Sequence, residues 1–229
     1  MAPEVMVMEE KQMSDSLSVG LLLALTGGLL DAYSYLNRGQ VFATAETGNI
    51  VLLGIHLAQQ QWGQALRYVF PILAFAAGVL VAELIHRSLG PTAGRIHWRQ
   101  PLLLAECLVL ALVAALPQGQ WDPLANVLIS FTSAIQVESF RKFRGCSCAT
   151  TMCTGNLRSG TELLFRHLTA PIGSISGNKA AVYYTLILAF VLGAVISGLL
   201  SPALGHWTVL CACPVLLATF LLMLRPQRT

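Results

Sequence analysis

Hydrophobic residues make up 55% of this 229-residue chain and charged residues 11%, against roughly 25% charged in an ordinary soluble domain. That balance excludes a soluble globular protein. The net charge of +3 sits in short loops and leaves no basic patch for a nucleic acid, so the expected partner is a lipid bilayer and the expected class an all-α polytopic membrane protein.

Residues 1–16 carry Glu4, Glu9, Glu10 and Asp15 against Lys11 alone, without the basic start of a signal peptide, and read as a short mobile cytoplasmic tail. A first membrane repeat is expected over residues 17–117. It opens with the apolar stretch Leu17 to Leu36, which holds Gly27-Gly28 and Asp31. A polar step, Asn37 to Gln40, leads into Val41 to Ala58, where Thr47-Gly48-Asn49 lies. Leu66 to Leu89 follows, with Ala74 and Gly78 spaced for close helix contact. A loop with Arg87, Arg95 and Arg99 precedes Pro101 to Pro117, and Gln118-Gly119-Gln120 turns the chain. The second repeat, residues 122–224, follows the same order: Asp122 to Phe140, a basic step from Arg141 to Arg144, Ser147 to Phe165, Ala180 to Leu200 closed by Ser201-Pro202, and Trp207 to Leu224. Residues 225–229 form a second cytoplasmic tail. The small faces Ala74/Gly78 and Ala189/Gly193/Ser197 suit pairing with another copy of the chain.

The repeat rests on matched residues. Thr154-Gly155-Asn156 returns 107 residues after Thr47-Gly48-Asn49, and at that offset Asp31 falls on Glu138, Thr44 on Thr151 and Ile50 on Leu157. With a longer second copy, Ala74 to Gly78 meets Ala189 to Gly193, and His97-Trp98 meets His206-Trp207.

Whether the Thr-Gly-Asn segments cross the bilayer decides the topology, and the basic residues vote on it because cytoplasmic loops collect them. With eight spans they divide seven to six and strand Arg158 in lipid; with six spans, twelve of the fourteen share a side and only Arg38 and Arg67 face the other. The expected architecture is therefore six transmembrane helices as an inverted three-plus-three repeat, both termini cytoplasmic, each repeat with a re-entrant half-helix bearing Thr-Gly-Asn. Irregular backbone at membrane depth needs protein or water around it.

At each elbow, Thr47 and Thr154 are read as helix caps, Gly48 and Gly155 as points of close approach or positive φ, and Asn49 and Asn156 as backbone binders. Two half-helix N-termini near the midplane favour a small polar or anionic solute. These six residues are the candidate substrate-binding set. Asp31 and Glu138 are candidates for proton or ion coupling, because a charged group costs ~2.5–3.5 kcal/mol in the centre of a lipid-facing helix and so turns inward. The competing role for Glu138 is a pair with Arg141 or Lys142, and for Asp31 a bond to a helix end or amide. Ser159 to Glu162 reads as a capping box that starts the second half-helix later. Arg158 reads as reaching the surface, Glu83 and Arg87 as an ion pair, and His56 as a satisfied core residue. Cys146, Cys148 and Cys153 have no cysteine counterparts in the first copy, so no metal is expected; no enzyme motif or cofactor signature is present either.

Leu25-Thr26-Gly27-Gly28-Leu29-Leu30-Asp31-Ala32, followed by Thr47 to Gly54, resembles the opening of the YoaK-type bacterial membrane proteins, a family of unknown function. The resemblance runs through most of the chain and implies a bacterial inner-membrane protein of about six helices, without naming a substrate. Two roles stand open from the residues. One is a transporter or channel whose pathway passes the elbows; the other is a non-transporting scaffold, assembly factor or lipid-binding protein.

Overall fold

The computed structural model describes residues 13–89, 98–169 and 176–224; most of the N-terminal tail, the C-terminal tail and Arg95 fall outside them. The end of the expected mobile tail is anchored. Met13–Asp15 forms a 3-10 turn, and Asp15 pairs with Arg99 at 3.1 Å.

Among the described residues eight α-helices follow: α1 Leu17–Asn37, α2 Glu46–Ala58, α3 Trp62–Leu89, α4 Arg99–Ala115, α5 Asp122–Ser139, α6 Cys153–Thr169, α7 Ser176–Leu204 and α8 Ala212–Met223. Ser16 starts α1 by accepting the Val19 N–H at 3.3 Å, one of the donors a helix start leaves open. Between α5 and α6 lies a two-residue hairpin, β1 Lys142–Phe143 paired antiparallel with β2 Cys146–Ser147. Its turn residues Arg144 and Gly145 both have positive φ, as such a tight hairpin requires. The helix expected to end at Ser201-Pro202 runs on to Leu204 with Pro202 inside it, and Gly205, at φ 53°, turns it into a 3-10 segment.

Among the described residues three stretches are long and apolar enough to cross a membrane: Leu17–Asn37, Trp62–Ser88 and the run Asn178–Met223, whose 46 residues hold two helices, α7 and α8. The expected spans at α4 and α5 fall short of that measure. The helix α4 has only 17 residues, and α5 buries Asn126, Ser130, Thr132, Ser133, Gln136 and Ser139. Polar residues that face protein instead of lipid lower the hydropathy of a helix without making it a surface helix.

Packing between the helices repeats when the two halves are exchanged. The longest seam joins α1 to α7, and its counterpart joins α5 to α3; α2 lies on α3 as α6 lies on α7, and α4 meets α8. Along the first seam a methyl on Gly28 would strike the Phe190 carbonyl, and one on Gly193 would strike the Leu25 carbonyl. Glycine inside a helix costs about 1 kcal/mol relative to alanine, and the backbone contact it permits offsets this. Gly78 does the same against Phe131 and Ala134 of α5, so the small faces read for pairing with a second copy are occupied at Gly78 and Gly193 within the chain.

Two contacts set the helix directions. Arg38, just after α1, meets Asp122 at the start of α5 at 3.1 Å; Asp15, just before α1, accepts the Arg144 N–H beyond the end of α5 at 2.8 Å. The helices α1 and α5 therefore run in opposite directions. By contrast α1 and α7 run together, since Asn37 donates to Ser201 at 2.9 Å near both C-termini.

Arg38 is wholly buried, and all five of its N–H donors are used. Nε donates to the Tyr33 hydroxyl at 2.7 Å, Nη1 to Pro117 and Asp122, and Nη2 to the carbonyls of Val113 and Leu116, both at 2.9 Å. It thereby satisfies the open carbonyls that end α4. At the opposite end, Glu83 bonds Arg87 at 3.3 Å as expected and also meets Arg141 at 3.7 Å.

Candidate functional site

The first elbow is the extended stretch from Arg38 to Ala45 and the start of α2. Extended chain leaves its N–H groups without helical partners, and in a water-free setting each unpaired one costs several kcal/mol. Side chains take three in a row. The Phe42 N–H goes to Asn49 Oδ1 at 3.1 Å, the Ala43 N–H to Ser34 Oγ at 3.0 Å and the Thr44 N–H to Asp31 Oδ1 at 2.7 Å. Asn49 Nδ2 also donates to the Phe42 carbonyl at 2.6 Å and to Glu46 Oε2 at 2.9 Å. Asn49 thus fastens the chain seven residues back.

Asn156 does the same in the second elbow, donating to the Ala149 carbonyl at 2.7 Å, again seven residues back. The rest of that elbow is held differently. The Cys148 N–H goes to the Arg141 carbonyl at 3.1 Å, Tyr183 on α7 donates to the Ser147 carbonyl at 3.0 Å, and the buried hydroxyls of Thr150 and Thr151 have no hydrogen-bond partner.

Several expected local details differ. Thr47 and Thr154 are not caps: α2 already begins at Glu46 and α6 at Cys153, so each threonine sits within the first turn, exposed. The asparagine bonds draw the helix start upstream of the motif. Neither Gly48 nor Gly155 has positive φ; Gly48 gives room to the Phe42 ring, and Gly155 has open space. Ser159 starts no helix, because α6 runs through it, and Glu162 pairs with Arg166. Among the helical residues of the elbows, only Asn49 in α2 and Asn156 and Gly160 in α6 are buried. A half-helix satisfies its own backbone, so it is the extended leads, with Val41, Ala43, Thr44, Thr150 and Thr151, that need cover.

Both elbows come to α1. Thr44 binds Asp31, and Thr151 packs its methyl on Gly27, one turn away. Cys153 is close enough to Asp31 to feel its charge. A second carboxyl completes the group: Glu46, bonded to Asn49, lies beside the Ser130 hydroxyl of α5 and within reach of the Asp31 charge. One Glu46 oxygen and the hydroxyls of Ser130, Thr44 and Thr151 remain short of a full hydrogen bond. The centre therefore holds two acids and several hydroxyls that can take up a proton or bind a polar group. It disfavours an anion, since the carboxyls offset the positive end of α2.

Glu138 is placed elsewhere. It reaches Arg141 at 3.0 Å and is 20% exposed, whereas Asp31 is 5% exposed. Sequence reasoning missed Glu46, although an acid inside an apolar segment is itself a signal. Glu106, whose position 107 residues on is Cys213, is 3% exposed, has one oxygen without a hydrogen-bond partner, and lines a cavity of about 40 Å³ shared with Gln136. His56 bonds Gln61 at 2.6 Å and stacks on Tyr68. Arg158 is exposed. All six cysteines are free, and among the described residues no three His, Cys, Asp or Glu side chains are grouped to hold a metal.

A family model described as "Protein of unknown function (DUF1275)" matches residues 19–222. The chain is 28% identical over 196 residues to the UPF0700 transmembrane protein YoaK of Bacillus subtilis (strain 168), covering 82% of this chain and 85% of that protein. No solved structure matches it.

Proposed function

The chain is a membrane protein belonging to that family of unknown function, and on this premise we propose that it carries a small polar solute across a bacterial inner membrane, coupled to protons. The carrying observation is the meeting of both elbows within one turn of α1, beside Asp31 and Glu46. In this reading six helices, α1, α3, α4, α5, α7 and α8, span the bilayer as an inverted repeat. The shorter α2 and α6 enter from opposite faces and end at mid-depth. The opposed directions of α1 and α5 support it, because eight spans in sequence would make them parallel. So does the gathering of Arg87, Arg99, Arg141, Lys142 and Arg144 at the end opposite Arg38 and Arg67. Discontinuous helices that end at the midplane of a repeat interface are a common way to build a transport site.

The solute passes the Ser130 and Thr151 hydroxyls, while Glu46 and Asp31 exchange the proton. Flux of small polar solutes and of protons into proteoliposomes tests this: Glu46→Gln should remove the pH dependence of transport while the protein stays folded. Absence of flux for every solute, or flux with an unchanged pH profile in Glu46→Gln, would sink it.

A non-transporting scaffold is the second reading. It is favoured by one fact: Asp31, Asn49 and Asn156 each bind the elbow backbone itself. Ser130→Cys in a cysteine-free background separates the two readings. A transporter lets impermeant thiol reagents reach it from at least one side of the membrane; a closed scaffold does not.

A further inference from the structure

At the Arg38 end of the bundle, the loop after α1 and the starts of α3 and α5 enclose a cavity of about 260 Å³. We propose that this cavity binds a small, singly charged oxyanion that keeps an O–H or N–H donor, with Arg67 as its cation and Asn126 as its acceptor.

Three observations carry the assignment. The first is the Arg67 charge. Arg38 has every N–H occupied and its charge is met by Asp122, whereas Arg67, which lies against Gly39, pairs with no carboxylate among the described residues. The local balance of Arg38, Asp122 and Arg67 is one positive charge. The second is Asn126. Its Nδ2 donates to the Arg38 carbonyl at 2.8 Å, which fixes the amide and leaves Oδ1, on a side chain 2% exposed, without a donor. An acceptor left unpaired in a buried wall is costly, so a ligand that reaches it with a hydrogen is favoured over one that has none to give. The third is Asp122, which also lines the cavity and repels a fully deprotonated dianion. A guanidinium that grips two oxygens, an acceptor for a remaining proton and a carboxylate against excess charge together select dihydrogen phosphate over sulfate.

The same chemistry is offered by free phosphate and by a phosphatidylethanolamine headgroup, whose phosphate carries a neighbouring ammonium. The site does not depend on the transport reading: the outer part of the first elbow, Arg38, Gly39 and Val41, lines it, but none of Asp31, Glu46, Ser130 and Thr151 does.

The test uses the full chain in nanodiscs of phosphatidylcholine, which has no donor hydrogen, and in discs that also contain phosphatidylethanolamine. Binding of radiolabelled inorganic phosphate is measured with sulfate as competitor, and lipid carried through purification is identified by mass spectrometry. If free phosphate is the ligand, it binds in both discs, sulfate competes poorly, and Arg67→Gln weakens binding at least about tenfold, with Arg67→Lys in between. If the headgroup is the ligand, phosphate binds only without phosphatidylethanolamine, and that lipid is retained by the native chain and lost from Arg67→Gln. Arg67 is exposed, so both variants fold. Equal phosphate binding by native chain and Arg67→Gln, equal competition by sulfate, or occupancy by neither ligand would overturn the assignment.

Discussion

The first elbow gives three consecutive N–H groups to the side chains of Asn49, Ser34 and Asp31, whereas the second relies on Asn156, a hairpin and a tyrosine from α7. Both solve the same problem of extended chain inside a helical bundle. They share only the asparagine. The position that is Ser34 in the first half is Arg141 in the second, 107 residues on, and this exchange redirects the acid three residues before it. Asp31 stays with the backbone; Glu138 turns to Arg141. Two elbows of similar shape therefore share one asparagine bond each and differ in the residues around it.

Removing Asp31 should give the largest effect. Asp31→Ala leaves the Thr44 N–H facing apolar surroundings and should destabilise the protein by about 3 kcal/mol, seen as a lower melting temperature in detergent; Asp31→Asn, which keeps an acceptor, should cost much less. Next come the asparagines, which test the shared bond directly. Asn49→Ala removes three hydrogen bonds and should cost about 2–3 kcal/mol, and Asn156→Ala, with one, about 1 kcal/mol; equal costs would mean that the elbows are held alike. A methyl in the α1/α7 seam tests how closely the two halves are joined: Gly28→Ala and Gly193→Ala should each cost about 1–3 kcal/mol, because both strike backbone. The smallest effect belongs to Glu138→Gln, at most about 1 kcal/mol for a partly exposed ion pair. A loss comparable to that of Asp31→Ala would restore the two acids as equivalents.

What could be read in the sequence follows from that comparison. The likeness of the two elbows was legible at Thr-Gly-Asn because Asn49 and Asn156 do one local job, a bond seven residues back, that needs no knowledge of the rest of the fold. Asp31 and Glu138 were legible as a matched pair of positions but not as different roles, since the partner at the third residue along decides. Glu46 hid because its copy is Cys153, so a search for matched acids passes over it. Arg38 was counted as a loop residue and is buried; its partners are carbonyls that end α4, and backbone carbonyls leave no trace in a sequence. The aspartates that meet Arg99 and Arg38, Asp15 and Asp122, do lie 107 residues apart, and that signal was available.

Arg38 also imposes an order on biogenesis. Its partners Val113, Leu116, Pro117 and Asp122 are made 75 to 84 residues after it. At a synthesis rate of about 5–20 residues per second, the guanidinium waits on the order of ten seconds with Tyr33 as its one acceptor already made. In the proposed topology it remains in water at the far face of the membrane during that interval, and the loop after α1 stays undocked. A chain stalled on the ribosome before Asp122 should leave a cysteine at Val41 open to reagents from that face, and release of the full chain should close it. That outcome would mean that the first half of the protein finishes folding only when the second half begins.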